Sequence, residues 1–159
     1  MKKWSIMIGL VILVSCSPSQ EKQQLTEIDW KGKSEHWQVN QMKSSFSDET
    51  FTIGPVTIQH VQDVNFQTTY YFVQTHVQVN GVDHVVSAKS VSSQNNIQAS
   101  PIELEEKTEN YSLYSGEGFS HIKDMEAVYI TIDWYDTNKG KDREERIDLY
   151  RESHQLEEL

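Results

Sequence analysis

Six histidines, three pairs of adjacent glutamates, one aspartate-bounded loop and a single cysteine are the residues with chemistry to offer in this chain. A shared metal ion needs two or more imidazoles or carboxylates on one face. Asn80-Gly81 is the strongest short hairpin signal a sequence offers. A two-residue turn there sets Gln78 opposite Asp83, Val77 opposite His84 and His76 opposite Val85. Cross-strand partners share a face and neighbours alternate, so His76 and His84 point to opposite faces and cannot share an ion. His36, His60, His121 and His154 have no His, Cys or carboxylate at ligand spacing on a common predicted face. The histidines read as scattered surface residues. No metal ligand is assigned, no cofactor is implied, and the domain is expected to fold without metal.

Asp136-Thr137-Asn138-Lys139-Gly140-Lys141-Asp142 superficially resembles a calcium loop, but Gly stands at position 5 and two lysines bring positive charge. A hairpin turn accounts for it better. Glu105-Glu106, Glu144-Glu145 and Glu157-Glu158 read as solvated faces, because adjacent residues on a strand point opposite ways. Gly116-Glu117-Gly118 lacks the context of a phosphate cradle, and no Gly-x-Ser-x-Gly elbow occurs. No catalytic residue is assigned, and the chain does not read as an enzyme.

Cys16 is different. Lys2 and Lys3 form a basic start, and Trp4 to Val14 is an apolar run broken only by Ser5 and Gly9. A spanning helix needs about 20 apolar residues, so this run fits a signal h-region instead. Its ending, Leu13-Val14-Ser15-Cys16, resembles the lipobox of bacterial lipoprotein precursors. The resemblance implies that Leu13, Val14 and Ser15 are read by a signal peptidase. It also implies that Cys16 carries a diacylglycerol and becomes the mature N-terminus. With no second Cys, no intramolecular disulfide can form. Losing Lys2 and Lys3 would lower the net charge from −10 to −12. Such an acidic domain is repelled by an anionic membrane and excludes nucleic acid as a partner, so lipid alone would hold it there.

The elements that position these residues are strands. Residues 1–15 are expected to be a signal peptide, 16–26 the lipidated Cys and a flexible tether (Ser17 to Gln24 is wholly polar), 27–152 an all-β domain, and 153–159 an acidic tail. Phe51 to Ile58 is a strand in which Pro55 marks an edge or a bulge. Thr68 to Val79 and Val82 to Val91 flank the Asn80-Gly81 turn, and weaker runs span Ile97 to Glu105 and Tyr111 to Tyr114. The only short helical candidate is the turn from Ser120 to Met125. Val128, Ile130, Ile132 and Trp134 alternate with Tyr129, Thr131, Asp133 and Tyr135, then Ile147 and Leu149 return after the Gly140 turn. Short strands with regular turn signals predict an antiparallel two-sheet sandwich of immunoglobulin-like architecture, with a small barrel as the rival.

Trp37 and Trp134 are expected in the core, as is Trp30. The outward set Tyr129, Thr131, Asp133 and Tyr135 is the candidate interaction face. Gly32-Lys33-Ser34-Glu35-His36-Trp37-Gln38-Val39 resembles a Gly-x-Ser-x-x-Trp-x-Val element near the start of small Gram-positive lipoproteins, which supports location and fold and implies no activity. The expected protein is lipid-anchored at the cell membrane, facing outside the cytoplasm. Its β domain would bind a protein or cell-wall ligand, and a small envelope enzyme or inhibitor acting on cell-wall material is the alternative.

Overall fold

The computed structural model describes residues 26–46, 50–110 and 125–151. The signal segment, Cys16, the tether, the Tyr111 to Tyr114 run, residues 120–124 of the expected helical turn and the acidic tail lie outside these residues. Nine antiparallel strands account for most of the rest: β1 (Thr26–Lys33), β2 (Trp37–Phe46), β3 (Thr50–His60), β4 (Gln67–Val79), β5 (Val82–Gln98), β6 (Ile102–Leu104), β7 (Lys107–Asn110), β8 (Met125–Asp136) and β9 (Lys141–Arg151). Met125 begins a strand.

The domain is all-β, as the sequence predicts, but the two separate sheets of an immunoglobulin-like sandwich are replaced by one. The order is β5-β4-β8-β9-β1-β2-β3-β6, with β7 also paired to β3. The physical cause is a series of register shifts that coil the long strands, at Trp30/Gly32, Val39/Met42, Met42/Ser44, Thr68/Tyr70 and Thr75/His76. Coiling brings the two ends of the sheet round to each other, and the Lys89 ammonium on β5 donates to the Glu103 carbonyl on β6 at 2.8 Å. The result is a nearly closed barrel.

Local sequence explains the junctions. Asn80 and Gly81 both take positive φ, 50° and 74°, as a tight hairpin requires, and β4–β5 pairs in the register read from the turn. Gly54 and Pro55 lie where β3 changes partner, pairing through Thr50 to Ile53 with β7 and through Val56 to Ile58 with β6. Pro55 has no N–H to offer a ladder, so the change of partner falls there. The run expected over Ile97 to Glu105 is interrupted at Ala99-Ser100-Pro101 and supplies the end of β5 and then β6. Gly140, at φ 62°, closes the β8–β9 turn, while the Asp136 carboxylate accepts the Asn138 and Lys139 N–H groups.

Inward residues fill the interior. Trp37, Trp134, Met42, Ile53, Ile58, Ile102, Ile130, Ile132 and Ile147 are among the largest fully buried side chains, and Trp30 is also in the core. Val128 pairs with Leu149 and Ile130 with Ile147, with all four side chains buried. We expect Ile132→Ala to destabilise the domain by about 2–5 kcal/mol, from lost burial and the cavity left behind. Urea unfolding checks this; a change below about 0.5 kcal/mol would mean that Ile132 faces solvent.

Candidate functional site

Strand direction sorts the molecule into two ends. β1 runs from Thr26 at one end to Lys33 at the other, and the antiparallel partners place the Ser34–His36 turn, the Val61–Phe66 loop and the Thr137–Gly140 turn together on the far rim. Here the expectation of scattered histidines without carboxylate partners fails. The inward alternation of Ile147 and Leu149 continues to Glu145 and Arg143, which pair with the inward Ile132 and Trp134. Glu145 therefore sits on the concave side of the sheet, its side chain only 13% exposed, and not on a solvated face.

Glu145 meets the Gly32–Val39 segment there. Its Oε2 accepts the Ser34 hydroxyl at 2.6 Å and the His36 backbone N–H at 3.0 Å, and its Oε1 contacts His36 Nδ1. The Arg143 guanidinium lies 3.8 Å from Oε1, and Glu35 approaches the other ring nitrogen of His36, Nε2, at 3.7 Å. Burial pushes the Glu145 carboxyl up, but the bonds from Ser34 and from the His36 backbone and ring outweigh it and hold the pKa below its ordinary 4.5.

The Gly-x-Ser-x-x-Trp residues thus divide one task. Gly32 lets β1 approach β9: a Cβ there would meet the Asp148 carbonyl oxygen and Leu149 Cδ2, each at 2.6 Å. Ser34 bonds Glu145, and Trp37 plugs the core beneath, edge-on to His60, Phe66 and Trp134. His60 is buried and stacks on Phe66 at 4.4 Å, its Nδ1 accepting the Asp63 N–H at 3.1 Å. Burial first, then the nearby His36 imidazole, lower the His60 pKa from 6.5, against the opposing pull of Asp63, Glu145 and Asp136.

The chemistry of this rim is set by who bonds whom. Ser34 donates to a carboxylate and, among the described residues, makes no bond to an imidazole, so no base contact of an activated nucleophile is formed there. His36 is oriented by a carboxylate on Nδ1, which leaves Nε2 on the side of Glu35. Glu35, His36 and Glu145 each place one donor atom within 4.8 Å of the others, a proximity of residues that the sequence reading did not bring together. The signal lay in the β9 alternation carried two residues further back.

The candidate interaction face on β8 is placed differently from expectation. Tyr129, Thr131, Asp133 and Tyr135 do turn away from the core residues, but Tyr129 is buried and the other three are half-buried. His76 stacks on the Tyr129 ring at 4.5 Å, and the Arg146 guanidinium lies 3.6 Å from its centroid. His76 Nδ1 bonds Asp83 at 2.8 Å and Nε2 bonds Thr131 at 3.3 Å. His76 and Arg146, contributed by the flanking strands, cover the Tyr129 end of the strip. Burial raises the Asp133 pKa, and Glu144 adds to the rise.

Comparison with family models, curated proteins and solved structures returned no match.

Two outcomes follow from the rim. Gly32→Ala should cost about 1–3 kcal/mol in urea unfolding, because the atom it meets is a backbone carbonyl held in a ladder. Acidification should weaken the fold in two stages. Below about pH 6.5 the unfolded chain protonates His60 before the folded one does, so stability falls until the lowered folded pKa is reached. The contribution of Glu145, present above about pH 4.5, is lost as pH falls through its own lowered value. Melting temperature against pH, with an NMR titration of His60, checks both; a His60 pKa above 6.5 would remove the first stage.

Proposed function

We propose that this protein is a lipoprotein anchored through Cys16 at the cell membrane, outside the cytoplasm, whose β domain is a binding module for a protein or cell-wall ligand. The observation that carries the reading is Leu13-Val14-Ser15-Cys16, behind a basic start and an apolar run too short to span a bilayer, with Cys16 the only cysteine. Strand direction sets the end of the domain from which the tether leaves. Cys16 stands ten residues before Thr26, and the eight residues of β1 then rise about 3.3 Å each, roughly 26 Å, to the His36 rim. A lipid at Cys16 would therefore tether the domain from its β1 start, the end opposite the Ser34–His36, Val61–Phe66 and Thr137–Gly140 segments, through a link that reaches about 33–36 Å at full extension. Binding in preference to catalysis is supported by an interior filled with side chains and by Ser34 bonded to a carboxylate.

A diacylglycerol buries two chains at about 0.8 kcal/mol per CH₂, far more than the repulsion of an acidic domain screened within roughly 8 Å. Wild-type protein should take up labelled fatty acid and partition into detergent. Cys16→Ala should leave an uncleaved, unlabelled precursor. Wild-type protein that stays aqueous and unlabelled would refute the anchor.

A further inference from the structure

We propose that Glu35 and His36, with Glu145 behind them, form a rim site for a divalent transition-metal cation of the Zn²⁺ class. Three features converge on it. First, the Glu145 contact occupies His36 Nδ1 and so leaves Nε2 as the ring atom free to ligate a cation, the carboxylate–imidazole pairing that orients metal-bound histidines. Glu145 is itself fixed by the Ser34 hydroxyl and the His36 N–H, so the ring is held before any ion arrives.

Second, the Glu35 carboxylate stands 3.7 Å from Nε2. Two ligands on a tetrahedral zinc, at about 2.0–2.2 Å each, lie roughly 3.4 Å apart, so a small closing movement of Glu35 completes the pair. Glu35 has the freedom for it, being 77% exposed at the side chain, and all three donor atoms are within 4.8 Å of one another. Third, electrostatics favour a cation. The Glu35 and Glu145 carboxylates flank the His36 ring on its two nitrogens, and the chain carries a net charge of −10. The Arg143 guanidinium neighbours the Glu145 oxygen and not the Glu35–Nε2 gap among the contacts described, so it offsets the orienting carboxylate.

The donor chemistry selects the metal. One imidazole nitrogen beside carboxylate oxygens suits Zn²⁺ and its neighbours in the first transition row, whereas Mg²⁺ and Ca²⁺ prefer all-oxygen shells. With two side-chain ligands and solvent completing the shell, the ion is exchangeable and the fold does not depend on it. Glu145 already has its full set of partners within the protein.

The test is titration of the full chain bearing Cys16→Ser, which removes the thiol as a competing ligand, with ZnCl₂ by calorimetry and with MgCl₂ in parallel. Saturable one-to-one zinc binding, a shift of the His36 imidazole nitrogen resonances and no magnesium response are expected. Glu35→Gln should weaken zinc binding about tenfold or more while leaving the metal-free melting temperature unchanged, since the side chain is exposed. His36→Gln should abolish binding. No saturable zinc binding, or equal binding by wild type and the folded Glu35→Gln chain, would overturn the site.

Discussion

Three residue pairs hold the two halves of this sheet together. Trp30, Lys31 and Gly32 on β1 face Arg151, Tyr150 and Leu149 on β9, and across the ring the opposing edges meet through the Lys89–Glu103 bond. One half is β1-β2-β3 with β6 and β7; the other is β5-β4-β8-β9. A ladder this short supplies little by itself. The missing side chain of Gly32 and the bonds from Ser34 and His36 to Glu145 extend the joint beyond the ladder to the rim. Burying a carboxylate costs free energy unless it is fully hydrogen-bonded, and Glu145 is supplied from a backbone N–H, a hydroxyl and an imidazole. The same contact that joins the halves also leaves His36 Nε2 on the side of Glu35, so the joint and the rim chemistry are one arrangement.

The joint also explains what the sequence shows and what it hides. Strand identity and local register were legible wherever the pairing was local: Asn80-Gly81 specifies β4–β5, and the Val128 to Trp134 alternation with Gly140 specifies β8–β9. Each half is therefore readable as a sheet, and two sheets make a sandwich. Among the described residues the β1–β9 junction couples residues more than a hundred positions apart through three pairs, and nothing in either segment alone announces the other. The polar end of β5, Ser92 to Asn96, is hidden for a related reason. It is mostly exposed, so no apolar alternation marks it as strand.

The site was legible in pieces. The Gly32 to Val39 element stood out in the sequence, but its charged partner did not, because Glu145 breaks an apolar alternation with an ionisable residue in a place where solvent exposure is the ordinary reading. The β8 face shows the converse. Its residues point where the alternation places them, yet a guanidinium from β9 and an imidazole from β4 cover Tyr129 from neighbouring strands. Periodicity fixes direction along one strand; exposure is decided by side chains two strands wide.

The wide separation of β1 and β9 also orders the making of the molecule. The β4–β5 and β8–β9 hairpins close over turns of a few residues and can form as soon as each is synthesised. β1 is made first of the described strands and β9 last, so β1 waits with one edge unpaired until β9 arrives. High contact order of this kind slows the closing step and lengthens the interval in which the chain is threadable and open to chaperones or to aggregation. Because the last of the described strands pairs with the first, this joint cannot close until synthesis has passed Arg151.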